Sequence, residues 1–270
     1  MSHDRLIRPV LHALVLMTAA VSLAACDIVV NSMEGGRARA EQTWTRSYTL
    51  TGADARIELI NTNGRIDVEA TDGPTVEVKA TITAHGGTEE AAKETIGKVE
   101  IKEDAGPSSV RVETRLPKGM GRQGISVTFT VKVPKSVKAD VSTVNGGIHL
   151  TGVQAAVKAE TTNGDIEGSG LGSTVAAATT NGSIKLRLSG LAVGGIKAET
   201  TNGSIDLKLP EAVKATVSAR CVNGGISVND LAFEKVGEGT RRKLDGTING
   251  GGAPVSLETV NGSIRVGRAS

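Results

Sequence analysis

The 270-residue chain has almost no aromatic side chains: Trp44, Tyr48, Phe129 and Phe233 are the complete set apart from the histidines. Sugar grooves and single-stranded nucleic-acid sites usually stack their ligands on aromatic faces, so both lack their ordinary platform here. Charge of one sign is lacking too. Lys and Arg total 31 against 29 Asp and Glu, which leaves no basic stripe for a nucleic acid, and no such partner is expected. The densest basic run, Arg241-Arg242-Lys243, reads as a solvated loop. The histidines His3, His12, His85 and His149 form no spaced pair, so no Ser-His-Asp arrangement can be assembled from them. No Gly-Gly-x-Gly-x-Asp run of a calcium roll occurs, and no glycine cluster precedes a helix as a phosphate loop would. No catalytic residue, metal or cofactor is therefore expected. Cysteine is limited to Cys26 and Cys221. Proline is scarce, at 7, while glycine reaches 34, and with a β-rich pattern that combination points to many tight turns in a regular framework.

The amino terminus reads as an export signal. Arg5 and Arg8 precede an apolar run from Val10 to Ala25, broken only by His12, Thr18 and Ser22. That run is too short for a confident membrane span, and small residues lead up to a cysteine. The string Leu23-Ala24-Ala25-Cys26 is similar to a bacterial lipobox. Residues 1–25 are expected to be a lipoprotein signal peptide, with Cys26 the lipid attachment and the membrane reached through its acyl chains. Asp27 resembles a sorting signal for the inner membrane, and residues 26–43 read as a tether. The expected location is the cell envelope, anchored to a membrane and facing the periplasm or the exterior. With Cys26 acylated no intramolecular disulfide can form, and Cys221 reads as a small filler in a core.

A repeat dominates the second half. Asn-Gly pairs start at Asn63, Asn145, Asn163, Asn181, Asn202, Asn223, Asn249 and Asn261. From Asn145 the steps are 18, 18, 21 and 21 residues, followed by 38 to Asn261. Units such as 157–166 (VKAETTNGDI), 196–205 (IKAETTNGSI) and 255–264 (VSLETVNGSI) align on the pair. Apolar and small residues hold one parity and charged residues the other, which is the signature of a half-buried strand. Asn-Gly is a turn signal because both residues accept positive φ at little steric cost. Near-identical units favour a parallel β-solenoid of 18–21-residue coils in which Ile stacks on Ile and Asn on Asn. The structural corners are then Asn63-Gly64, Asn145-Gly146, Asn163-Gly164, Asn181-Gly182, Asn202-Gly203, Asn223-Gly224 and Asn261-Gly262, with Val266 in the last coil. The solenoid is placed at 136–268 and an N-terminal β-rich section at 44–135. Within that section, strands are expected at 55–60, 65–70, 75–84, 109–115 and 125–133, and one short helix over 88–99, where Thr88 caps carboxylates.

The block 57–66 (IELINTNGRI), the run 131–137 (VKVPKSV) leading into 141–148 (VSTVNGGI), and the Asn-Gly ladder together resemble the DUF4097 family of bacterial envelope proteins, often called adhesins. The resemblance spans roughly residues 44–266 and implies a β-solenoid-like domain exposed outside the cytoplasm. It is interrupted at 229–248, an apparent insertion.

Three roles follow. The first is a non-catalytic envelope module that binds a protein or glycan through a flat sheet face. The second is an envelope scaffold or stress-response accessory that self-associates as a homo-oligomer through coil edges. The third is a β-helix carbohydrate-active enzyme, for which Asp165 and Glu167 are the only acidic pair on the outward positions.

Overall fold

A computed structural model describes residues 22–23, 28–34, 37–116, 124–190 and 194–269. The chain is all-β with one helix, and its strands form two sheets packed face to face. Each repeat contributes one strand to each sheet and crosses between them at Asn-Gly. The strands before the corner form what is here called the leading sheet, and those after it the trailing sheet. At the positions that flank the corner, the register matches residue type. Val157, Val175, Ile196, Val255 and Val217 stack in one interior column, while Ile148, Ile166, Ile184, Ile205, Ile264 and Ile226 stack in another. Nearly all these side chains are fully buried, and each contributes roughly 1.5–3 kcal/mol relative to exposure.

The coils do not stack in chain order. Along the axis they run 56–71, 138–151, 157–171, 175–188, 196–209, 253–268 and 215–229. The strand Ala253–Asn261 lies parallel between Ile196–Asn202 and Ala215–Asn223, and Ile264–Arg268 lies between Ile205–Leu209 and Ile226–Asn229. Val266 is therefore in the coil next to the last. The apparent insertion at 229–248 is the route back. After Ile226–Asn229 the chain reverses through Asp230 at φ 58°, and Phe233–Lys235 and Lys243–Ile248 pair antiparallel over the outer edge of Ala215–Asn223. It turns again at Asn249-Gly250, with φ of 50° and 81°, and enters the slot. The outermost strand here is only three residues long and carries Glu234 and Lys235, a short charged edge that resists further pairing.

The opposite end mirrors this arrangement. Ser109–Arg115 and Ile125–Pro134 form an outer coil, so that the coil 56–71 is again held second from the end. Beyond it the trailing sheet continues antiparallel through Thr75–Gly86 and Arg37–Thr49, and the leading sheet through Glu100–Ala105. The helix Glu89–Ile96 packs Ala92 and Ile96 against Thr75–Gly86 and Arg37–Thr49. Its N-cap is Thr88, whose Oγ1 accepts the Ala91 N–H at 3.2 Å, and the helix is shorter than the span 88–99 expected from sequence. Three of the four aromatic residues, Trp44, Tyr48 and Phe129, are buried in this cap. Arg46 lies 4.9 Å over the Trp44 ring and 3.4 Å from Glu103, and the Tyr48 hydroxyl donates to Glu103 at 2.7 Å. Burial first, and the Glu103 carboxylate second, push the Tyr48 hydroxyl far above its ordinary pKa.

The expected tether at 26–43 is shortened by this strand. Residues 37–43 are already sheet, with Ala38 and Ala40 buried. Alanine alternating with Arg, Glu and Gln carries little hydrophobic signal, which is why this strand reads as linker. The backbone of Ile28–Glu34 and of Ser22–Leu23 also lies antiparallel to Arg37–Thr49. Cys26 and Asp27, and nearly all of the expected signal segment, lie outside the described residues.

The corners have a different physical basis from the one the turn signal suggests. Among the described residues, positive φ at non-glycine positions is confined to Asp230 and Asn249, so the ladder asparagines are not left-handed. Glycine is required because successive coils touch there. A Cβ on Gly182 would sit 2.0 Å from the Gly164 carbonyl oxygen, and one on Gly203 would sit 1.9 Å from that of Gly182. By contrast, Gly225 has nothing within 4 Å of its notional Cβ and no positive φ. Gly182→Ala is expected to lower unfolding free energy by at least about 2 kcal/mol through enforced overpacking, while Gly225→Ala changes it by no more than about 0.5 kcal/mol. Urea denaturation of both variants checks this; equal stabilities would contradict the close-contact account.

Candidate functional site

The side chains that recur in every coil are bonded to their counterparts. Seven asparagines make one uninterrupted row: Asn145 donates its Nδ2 to Asn63 Oδ1 at 2.7 Å, Asn163 to Asn145 at 2.9 Å, and Asn181 to Asn163 at 2.8 Å. Asn202, Asn261 and Asn223 extend it, each step at 2.8 Å. The backbone runs the opposite way, since Gly146 N–H donates to Asn163 O at 2.9 Å and Gly262 N–H to Asn223 O at 2.9 Å. Inside the corner, Thr161, Thr179, Thr200 and Thr259 each donate Oγ1 to the preceding coil's glycine carbonyl at 2.8–3.0 Å. The corner residues singled out from sequence thus come together as one stacked column, a structural element that offers its polar groups to neighbouring coils and not to a ligand.

In the outermost coil Cys221 takes the threonine place, and its thiol only approaches Arg241 O at 4.0 Å. The Gly262 carbonyl, which lies where the other columns receive a threonine hydroxyl, gets no such donor from it.

The outward rows hold the remaining chemistry. On the trailing sheet one row reads Asp67, His149, Glu167, Lys185, Asp206 and Arg265, in which carboxylates alternate with nitrogen-bearing side chains. His149 stands between two carboxylates, with Nδ1 3.4 Å from Asp67 and Nε2 3.5 Å from Glu167. Lys185 Nζ donates to Glu167 at 2.9 Å, and this bond holds the Glu167 carboxyl below its ordinary pKa. Asp165 accepts the Ser183 backbone N–H at 2.7 Å. The acidic pair is therefore engaged residue by residue, Glu167 by a lysine and Asp165 by a backbone donor. Asp140 on the leading sheet is raised, mainly by burial, with Glu58 adding to the effect and Lys158 opposing it. Among the described residues no three His, Cys, Asp or Glu side chains come together as a metal site.

Two open grooves flank these rows. On the leading sheet a groove of about 670 Å³ runs over Ala178 and Thr180 towards Arg220, Arg242 and Val260. On the trailing sheet a trough of about 290 Å³ is walled by His149, Glu167, Lys185 and Asp206 on one side and by Thr151, Ser169, Arg187 and Lys208 on the other. Neither groove was legible in the sequence, because each depends on which residues the register makes neighbours.

Residues 126–267, just over half of the chain, match the family model described as Toastrack DUF4097. The chain belongs to that family. No curated protein matches the sequence. Among solved structures, a proposed cell adhesion protein from Clostridium sporogenes is similar at 13% identity and a TM-score of 0.45, covering 84% of this chain and all of that one. A proposed adhesin from Bacteroides fragilis is similar at 11% identity and a TM-score of 0.41, covering 83% of this chain and 96% of that one. The match begins in the outer cap coil and ends in the inserted one, so the chain's non-sequential C-terminal coil falls within the Toastrack region. No helix among the described residues is long and apolar enough to cross a membrane.

Because Cys221 leaves the last rung of the Toastrack column short of one donor, Cys221→Thr is expected to add about 1 kcal/mol of stability. Thermal unfolding at neutral pH reads the change, and a loss of stability would show that the thiol is packed where a hydroxyl cannot be served.

Proposed function

We propose that this Toastrack chain is a non-catalytic interaction module of the cell envelope, held at a membrane by lipid on Cys26, with Asp27 directing its sorting. One observation carries the non-catalytic part. The recurring polar residues are consumed by coil-to-coil bonds, and the acidic pair Asp165 and Glu167 is engaged by a backbone donor and a lysine. What remains for a partner is a pair of flat, regular faces whose side chains are set in rows about 4.8 Å apart. Such faces suit an extended ligand or a protein surface; the reacting centre of an enzyme instead needs converging groups. The export signal and the lipobox-like string support the envelope location.

The test uses the full chain expressed in a bacterium. The wild type is expected to incorporate labelled palmitate and to sediment with membranes, while Cys26→Ala loses both. Tagged wild-type protein is then expected to retain a discrete envelope protein or glycan in a pull-down. Release of sugar products from envelope glycans, abolished by Asp165→Asn, would overturn the non-catalytic reading in favour of an enzyme.

A further inference from the structure

The trailing-sheet trough brings like charges together. In one of its walls, Thr151, Ser169, Arg187, Lys208 and Gly267 follow each other on successive coils. Two cations are thus set directly side by side at the strand spacing of about 4.8 Å, an arrangement that is destabilising between neighbouring strands. The leading sheet also contains like-charge steps, Glu199 beside Glu258, Arg56 beside Lys138 and Glu58 beside Asp140, but at least one member of each has a close partner of opposite charge. Lys138 lies 2.6 Å from Asp54, and Glu58 is bonded to Arg111. Lys197 lies 2.9 Å from Glu199 and Arg220 lies 3.5 Å from Glu258. Among the described residues Arg187 has no carboxylate within ion-pair distance, and Lys208 reaches Asp206 only at 3.9 Å. Arg265, next in the facing row, is likewise without an ion pair. Within the trough three cations, Lys185, Arg187 and Lys208, face two carboxylates, Glu167 and Asp206. The local surplus stands out on a chain that is nearly neutral overall.

We propose that this trough binds a linear polysaccharide carrying carboxylate groups, laid along the solenoid axis. The inference rests on the interaction-module reading above and names the partner of that module. The shape supports an extended ligand, because the lining residues come from four successive coils, a length of about 14 Å at the strand spacing. Arg187 offers a planar fork suited to a carboxylate, and Lys208 a point charge beside it. Thr151 and Ser169 continue the same wall with hydroxyls that can bond to sugar hydroxyls. Other anions fit less well. A nucleic acid would find no aromatic side chain in the trough on which to stack a base. A lipid surface would want exposed apolar residues, and the exposed large ones, Val222, Val236 and Val260, are not among the lining residues.

The test measures binding of the full-length protein to immobilised polygalacturonate at increasing salt. All proteins carry Cys26→Ala, so that no acyl chain inserts into vesicles and no detergent is needed, and wild type here means an unaltered trough. The comparison ligands are carboxyl-reduced polygalacturonate, phosphatidylglycerol vesicles and oligothymidylate. Wild type is expected to bind polygalacturonate, to ignore the reduced polymer, and to weaken as salt rises. Arg187→Ser with Lys208→Ser is expected to lose about tenfold in affinity, and Arg187→Gln, which keeps a long polar side chain, to lose in the same direction. Lys158→Ser with Lys197→Ser removes the same charge from the other sheet and is expected to bind as wild type does. Unchanged melting temperatures would show that the losses are losses of contact. Undiminished binding by the trough variants, equal losses in both doubles, or a preference for vesicles or oligothymidylate would overturn the proposal. Failure on polygalacturonate together with success in the envelope pull-down would discard the ligand class and leave the module reading standing; failure of both would discard both.

Discussion

The distance between stacked corners governs this protein. Each glycine of the ladder lies so close to a backbone carbonyl of the neighbouring coil, Val127 for Gly64 and a glycine for the rest, that no β-carbon fits between them, as the 2.0 Å approach at Gly182 shows. That contact lets three bonds close at once. The backbone N–H donates towards one neighbour, while the asparagine amide and the threonine hydroxyl donate towards the other. A coil fixed in both directions at its corner brings its two strands into register without further instruction. Interior columns of Val and Ile follow, and so do the outward rows in which charges meet. A polar group enclosed without a partner costs about 1–3 kcal/mol, so the complete column also penalises any slip by a residue.

The same constraint shapes the ends. A parallel stack exposes an unpaired strand edge wherever it stops. At both ends the chain places an extra coil outside the one that continues its terminus, then covers it with antiparallel strands, over both sheets at the amino-terminal end and over Ala215–Asn223 alone at the other, where Ile226–Asn229 ends the trailing sheet. The coils 56–71 and 253–268 are therefore bonded on both sides, and the chain's first and last repeat strands are interior. At the amino-terminal end the cover also contains the helix and most of the aromatic side chains. This explains why residues of such different composition precede the ladder: they have to fill the open mouth of the stack, where the thin Ala and Val interior gives out.

Much of this architecture is legible in the residues. Alternation, the Asn-Gly spacing and the matched interior positions identify the coils and the face each side chain takes. The order of the last two coils is not legible, because the units 217–226 and 255–264 are interchangeable by the ladder's own rules and either could follow 196–205. One trace of it exists. Asn249-Gly250 lies out of period and is the pair that actually takes the left-handed turn conformation, whereas the seven ladder pairs do not take it as a pair. Reading all eight pairs alike hides the reversal. Arg37–Thr49 is masked by alanines in its buried positions, and Glu100–Ala105 by being polar on both faces at a sheet edge. The candidate trough was only half visible: Lys185, Arg187, Asp206 and Lys208 are evidently outward, yet Arg187 beside Lys208 emerges only once coils are paired across a 21-residue step.

The most direct test of the stacked-corner account is a cross-link between outward positions immediately before the asparagines. Thr201 and Val260 precede Asn202 and Asn261, which are register partners, whereas Val222 belongs to the coil beyond. In a Cys221→Thr background, the pair Thr201→Cys with Val260→Cys places two thiols on adjacent parallel strands about 4.8 Å apart, within reach of a disulfide. The pair Thr201→Cys with Val222→Cys is separated by two strand spacings, about 10 Å, which is too far. Quantitative oxidation of the first pair and none of the second, followed by mass spectrometry of the linked peptides, is the predicted result. Linkage of 201 to 222 with none to 260 would contradict the inserted coil and the column built through it.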